Sequence, residues 1–127
     1  MPHFRISLGN TKIENAHLNG ALDASICDLI VNKIQNFKSM RFSDLENLST
    51  ESVVEYVVRG KKVQITFYKK TLDSENILLV VQAAYKTFRF PNYFSLGFIG
   101  RIIVDGIQVN VRNEFSKPKE SLLWEFT

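Results

Sequence analysis

The spacing of the hydrophobic residues changes once along the chain, from a helical period to a strand period, and this change limits the possible folds most strongly. Between Asp23 and Lys38 apolar residues recur every three or four positions, as in an amphipathic helix. From Ser52 onward the period is two, which is typical of half-buried strands. The sequence therefore predicts one helix over about residues 23–38, with Asp23 as its N-cap, and a sheet in the second half.

The strand-like stretches are separated by short turn signals, which indicates an antiparallel meander. Two alternating runs flank Gly60, and either two-residue turn there places the apolar residues of both runs on one face. These residues are Val54, Tyr56, Val58, Val63, Ile65 and Phe67. The apolar run 77–85 favours a central strand covered on both faces, although a buried helix of similar length also fits. Asp105-Gly106 is the strongest hairpin signal and predicts a turn that pairs Val104 with Ile107.

Weaker signals occur elsewhere in the chain. Gly9-Asn10 predicts a hairpin in which Ile6 faces Ile13 and Arg5 faces Glu14. The sequence from Ser43 to Glu46 fits a capping box and predicts a short helical turn. The stretch 122–126 is too apolar to be left exposed, so we expect it to dock, for example as an edge strand.

These elements predict an α+β protein. We expect an antiparallel, meander-like sheet of about five to seven strands with one helix packed on one face, forming a single globular domain over residues 1–127. The chain has 127 residues, of which 45% are hydrophobic, and it can therefore bury a sizeable core without a metal or disulfide. That composition argues against disorder, and no apolar run approaches the roughly 20 residues of a membrane span.

The expected compartment is the cytoplasm. No basic stretch followed by an apolar leader opens the sequence, and the single Cys27 suits a reducing environment. Cys27 lies on the apolar side of the predicted helix, where we expect inert packing. Two histidines, His3 and His17, and one cysteine are too few for a zinc-type site, so no metal and no cofactor is predicted.

The carboxylates also predict no catalytic residue. Glu55 interrupts a valine-rich strand, and we expect it to be exposed opposite Gln64 or Thr66. Asp105 is assigned to its turn. Without a nucleophile motif, a phosphate-binding loop or a cluster of metal ligands, the simpler interpretation is a noncatalytic protein.

The positive charge is uneven. Residues 1–55 hold five basic and seven acidic side chains, whereas residues 56–127 hold eleven and six, within a net charge of +3. Five of the basic residues flank the hairpin around Gly60 with no acid between them, namely Arg59, Lys61, Lys62, Lys69 and Lys70. They fit either protection of strand ends or a basic rim that meets an acidic partner or phosphates.

The segment 85–94 concentrates aromatic residues. It holds five of the 15 aromatic residues, interleaved with two cations, and Pro91-Asn92 predicts a turn within it. Such a composition occurs where rings fill a core, and also where rings and cations bind a partner. The candidate binding residues here are Lys86, Phe88, Arg89, Phe90, Tyr93 and Phe94.

Three functions remain open at this point. The first is a noncatalytic protein-interaction module, such as an inhibitor, immunity-type or adaptor protein, whose partner is a protein with an acidic surface. The second is a nucleic-acid-binding domain that uses the basic hairpin and the aromatic segment. The third is a small-ligand binder or an enzyme without a motif, with a pocket between sheet and helix. A membrane partner is not expected.

Overall fold

The computed structural model describes the backbone of residues 5–8, 11–13, 20–92 and 95–126, and the side chains of residues 20–86 and 100–126. Seven strands and three helices occur within these residues. In chain order they are β1 (Arg5–Leu8), β2 (Thr11–Ile13), α1 (Gly20–Lys38), α2 (Phe42–Glu46), β3 (Glu51–Val58), β4 (Lys61–Thr71), β5 (Asn76–Asn92), β6 (Ser95–Asn110), β7 (Phe115–Ser116) and α3 (Glu120–Trp124).

The strands form one antiparallel sheet in the order β2-β1-β6-β5-β4-β3, and β7 pairs with β6. Strands β3 to β6 are neighbours both in sequence and in space, as in a meander. Helix α1 packs on one face of the sheet, and the short helix α3 packs on the other. The predicted α+β class, with a long helix on an antiparallel sheet, is therefore confirmed.

Helix α1 presents one apolar stripe to the sheet. Ile26, Ile30 and Ile34 are spaced four residues apart and are buried, and Cys27 is buried beside them. Because residues four apart share a helix face, this spacing forms a continuous contact with β5 and β6. The predicted N-cap is wrong: α1 begins at Gly20, so Asp23 lies inside the helix, where it is fully buried.

The hairpins that depend on local sequence agree with prediction. Strands β3 and β4 are joined by Arg59 and Gly60, whose positive φ angles of 49° and 77° are those of a two-residue hairpin turn. Val54 then pairs with Ile65, and Tyr56 pairs with Val63, so their side chains share the α1 face. In the N-terminal hairpin Ile6 pairs with Ile13 as predicted, while Glu14 lies outside the described residues.

The predicted hairpin at Asp105-Gly106 is wrong, because β6 continues through it. Asp105 pairs with Val81, and Gly106 pairs with Val80, in the middle of the sheet. The glycine is explained by packing: a Cβ atom at Gly106 would lie 2.7 Å from the carbonyl oxygen of Leu79 and 2.9 Å from Leu123 Cδ2. Gly106 therefore makes room for α3 rather than for a turn.

The uninterrupted course of β6 also decides which side chains meet. A two-residue turn would have placed Val104 and Ile107 on one face, but in a continuous strand an even and an odd position face opposite ways. Val104 is buried in the α3 cluster, whereas Ile107 joins Ile103 in the α1 cluster. The apolar run 77–85 lies in β5 between the two clusters, which confirms it as a central strand covered on both faces.

Two short helices complete the fold. The helical turn predicted near Ser43 is present as α2, but its N-cap is Arg41 without a side-chain hydrogen bond, so the predicted capping box is wrong. The Phe42 amide instead donates to Asn113 Oδ1 at 2.6 Å. The C-terminal segment docks as predicted, but as helix α3 and not as an edge strand, because Leu123 packs on the apolar face of β5 and β6.

We predict that Gly106→Ala destabilises the protein by about 1–3 kcal/mol, because the added methyl group must displace backbone and α3 together. Gly100→Ala is the matched control, since a Cβ there meets nothing within 4 Å, and we expect a change within about 0.5 kcal/mol. Urea unfolding followed by circular dichroism measures both. Equal stability of the two variants would contradict the close packing at Gly106.

Candidate functional site

Within the part of the chain that the structure describes, strands β5 and β6 extend beyond their neighbours and form a two-stranded arm. The last described pair of β4 with β5 is Gln64 with Ala84, and the last described pair of β1 with β6 is Leu8 with Arg101. Residues 86–92 of β5 and 95–100 of β6 continue past both points, and we call this part the arm. The turn predicted at Pro91-Asn92 is wrong, since β5 runs to Asn92, which pairs with Ser95 after a register shift.

A cleft of about 690 Å³ opens at the base of the arm, where the first residues of β4 separate from β5. Its lining comes from β3, β4, β5 and β6. The lining residues are Glu55, Lys61, Lys62, Gln64, Ala84, Tyr85, Lys86, Gly100, Arg101 and Ile102. Most of them lie on the face of the sheet that carries α3, because they alternate with the residues that face α1.

Three lysines give the cleft its positive charge. Lys62 and Lys86 are exposed, and the Lys61 ammonium lies 6.0 Å from the centre of the Tyr85 ring, within reach of a cation–π contact. Arg59 in the adjoining turn donates a hydrogen bond to Ser25 Oγ of α1 at 3.0 Å. Glu55 is exposed and paired with Gln64, as predicted. It is the acidic residue among those that line the cleft.

The other two lysines of the predicted basic rim lie elsewhere. Lys69 and Lys70 lie near the opposite end of β4, roughly 25 Å from Lys62 at 3.3 Å per residue. The Lys69 ammonium donates to the carbonyl oxygens of Glu46 and Leu48, where α2 ends. Lys70 forms an ion pair with Glu125 at 3.0 Å. The structure thus divides the five predicted residues into a group at the cleft and a group that supports α2 and α3.

The aromatic segment is divided as well. Tyr85 and Lys86 belong to the cleft, and Phe88, Arg89 and Phe90 follow in the β5 strand of the arm. Tyr93 and Phe94 fall outside the described residues. The chain therefore brings the basic turn 59–62 and the segment 85–92 to the same end of the sheet.

A buried network that the sequence analysis missed lies behind the cleft. Asp23 of α1 accepts hydrogen bonds from Arg101 of β6, at 2.7 Å and 3.1 Å, and from the Tyr85 hydroxyl of β5, at 2.6 Å. Asp23 is 0% exposed and Arg101 is 5% exposed, so this is a buried ion pair. Asp23 neutralises the guanidinium, and the net charge of the cleft therefore comes from its lysines.

One sequence signal could have revealed this network. Asp23 precedes Ile26, Cys27 and Ile30 by three, four and seven residues, which places it on the apolar stripe of the helix. A carboxylate in that position is buried only with a partner, so its placement predicts a cationic side chain that faces it from the sheet. Nothing local to Arg101 identifies it as that partner.

The Cys27 thiol is packed beside this network. Burial, together with the carboxylates of Asp23, Asp28 and Asp105, raises the pKa of Cys27 from an ordinary value of 9.0 to about 12. Burial also raises the pKa of Tyr85, with a contribution from its hydrogen bond to Asp23. Both groups therefore keep their protons at neutral pH, which agrees with packing roles.

The part of the chain that the structure describes contains no candidate metal site. No three His, Cys, Asp or Glu side chains lie together there in a way that could hold an ion, and His3 and His17 lie outside that part. None of the helices in the same residues combines the length and apolar character of a membrane span. Comparison of the chain with protein-family models, curated proteins and solved structures finds no match.

We predict that Asp23→Asn costs about 3–5 kcal/mol of stability, because it leaves the Arg101 guanidinium buried without a counter-charge. Glu125→Gln is the matched control: it neutralises the carboxylate of the exposed pair with Lys70, and we expect a loss of at most about 1 kcal/mol. Urea unfolding at neutral pH measures both. A similar loss of stability in the two variants would contradict a larger stability cost for breaking the buried pair than for breaking the exposed one.

We predict that the free energy of unfolding falls between about pH 9 and about pH 12 and that Cys27 contributes to this fall. The folded-state pKa of Cys27 lies above its unfolded value, so its contribution is complete below pH 9.0 and is lost as the pH rises toward about 12. Cys27→Ala removes this thiol, so the free energy of unfolding of the variant should fall less over the same pH range. An equal fall in both proteins would contradict the prediction.

Proposed function

We propose that this chain is a noncatalytic protein-interaction module that binds an acidic surface of another protein with the cleft and the adjoining arm. The observation that carries the proposal is that Lys62 and Lys86, on neighbouring strands, line one cleft from the same face of the sheet, and that Lys61, beside Tyr85 on the other face, belongs to the same lining. Long-range attraction between such a cluster and an acidic partner speeds association and orients the two proteins.

The composition of the cleft favours a protein partner over a nucleic acid. The cleft combines three lysines with apolar contributions from Ala84 and Ile102, and it contains the carboxylate of Glu55. Protein interfaces mix apolar and charged groups in this way. A strand of nucleic acid needs a basic track along several phosphates, and Lys69 and Lys70, which would extend the track along β4, bind α2 and α3 instead.

The chemistry behind the cleft supports a noncatalytic role. Asp23, Arg101 and Tyr85 bind one another, and the proton of the Tyr85 hydroxyl is directed at Asp23 and away from a ligand in the cleft. General acid–base catalysis requires a titratable group within hydrogen-bond reach of the substrate. A group that is already committed to a buried ion pair does not meet that requirement.

The arm gives the proposed partner a second point of attachment. A two-stranded ribbon has marginal stability in water by itself, and the arm extends beyond the described strands that flank it. A partner that contacts the backbone of the arm would stabilise it and add to the charge contacts at the cleft.

The test begins with capture of partners from a lysate of the native cells by the tagged full chain, followed by affinity measurement on the purified partner. We expect the triple variant Lys61→Glu, Lys62→Glu, Lys86→Glu to lose on the order of 100-fold in affinity. The matched control reverses Arg112, Lys117 and Lys119, which are exposed and lie beyond the opposite end of β6. Equal affinity of the two triple variants would contradict the proposal.

Nucleic acid is tested in parallel with mixed-sequence single-stranded oligonucleotides and fluorescence anisotropy. If the chain is a protein-binding module, we expect the unmodified chain to bind these oligonucleotides at low salt no more tightly than the control triple variant does. Binding that falls steeply with salt and is lost in the cleft variant would overturn the proposal in favour of a nucleic-acid-binding domain.

A further inference from the structure

The outer edge of β3 carries a row of backbone groups that β4 does not use. Within the described part of the chain, β4 is the strand that pairs with β3, and β3 ends the sheet. The Lys69 amide donates to the Thr50 carbonyl oxygen at 2.9 Å, which marks this pair as hydrogen-bonded. Hydrogen-bonded pairs alternate along an antiparallel ladder, so the even-numbered residues of β3 bond to β4. Glu51, Val53, Glu55 and Val57 therefore direct their N–H and C=O groups outward.

Apart from its two glutamates, this edge has none of the usual protection against pairing. Its eight residues contain no lysine, proline or glycine, and the register with β4 runs from Glu51 to Val58 without a bulge. Natural edge strands commonly use such devices to avoid contact with other chains. The valines here are instead accessible, with Val53 49% and Val57 69% exposed.

We propose that β3 pairs with β3 of a second copy of this chain, in antiparallel orientation, to form a symmetric dimer with one continuous sheet. A single register pairs all four outward-directed residues. In that register Val53 lies opposite Glu55 of the second copy, and Glu51 lies opposite Val57 of the second copy. The two-fold axis passes through the pair of Val54 residues, which are 40% exposed in the single chain.

The distribution of charge selects this register. A shift by two residues in one direction places Glu51 opposite Glu55 of the second copy, and a shift in the other direction places the two Glu55 residues opposite each other. Like charges in directly opposed positions destabilise a sheet. In the proposed register each glutamate lies directly opposite a valine, and Glu55 approaches Glu51 and Glu55 of the second copy only diagonally, at about 7–8 Å between backbones.

The same register gives each Glu51 a cation. Lys62 pairs with Val57 inside the chain, and Val57 pairs with Glu51 of the second copy, so the three residues lie in one row across the sheet. Lys62 and that Glu51 are two strand spacings apart, about 10 Å between backbones. Two long side chains on the same face can meet over the valine at this distance. The self-complementary row is the reason for choosing a second copy over an unrelated strand.

Sedimentation equilibrium of the purified full chain between about 10 µM and 1 mM tests the dimer, over a range suited to weak association. We expect reversible dimerisation, and we expect Val57→Glu to weaken it at least about tenfold, because it places like charges directly opposite each other at Glu51 of the second copy. Val111→Glu makes the same change at a 48% exposed valine away from β3 and should leave the dimer intact. A chain that is monomeric throughout, or a dimer that both variants weaken equally, would overturn the proposal.

A charge exchange tests the register. Glu51→Lys and Lys62→Glu should each weaken the dimer several-fold, because each places like charges in one row. The double variant restores opposite charges and should recover most of the affinity. No recovery would overturn the register. Lys62 also lines the cleft, but self-association of the pure chain is measured without a partner, so this result is separate from the test of the proposed function.

Discussion

The buried ion pair between Asp23 and Arg101 connects the long helix to the centre of the sheet, and the arrangement of the candidate site depends on it. Arg101 belongs to the last described pair of β1 with β6, and Tyr85, the second partner of Asp23, follows the last described pair of β4 with β5. The helix is thus attached at the base of the arm. Burying both charges has a large desolvation cost, so the pair adds little net stability, but either charge alone would be far less favourable.

The two inferred surfaces adjoin each other on one face of the sheet. Glu55 belongs both to the cleft and to the free edge of β3, and Lys62 lies between them. In a dimer through β3 the two-fold axis is perpendicular to the sheet, so both clefts open on the same side. Two equivalent clefts would allow one dimer to bind a partner with repeated acidic sites at a high effective concentration.

The sequence predicted the elements whose signals are local. Alternation around Gly60 was sufficient for the β3–β4 hairpin because a two-residue turn leaves few registers for the strands that flank it. At Asp105-Gly106 the same rule was wrong, since the glycine accommodates Leu123 of α3, which is 17 residues away in the chain. All five basic residues at the hairpin were grouped as one candidate surface, although Lys69 and Lys70 contact α2 and Glu125, because charge along a strand does not show which end meets a helix.

The sequence by itself determined the class of fold, the stripe of α1 that packs on the sheet and the accumulation of cations around the β3–β4 turn. Periodicity and turn chemistry act between near neighbours, and they can be read from the chain. Only the tertiary structure decided that Asp23 is a buried counter-ion, that β6 is continuous and that Lys86 joins Lys61 and Lys62 at one cleft. Each of these depends on contacts between residues far apart in the chain, where burial and charge pairing outweigh local preference.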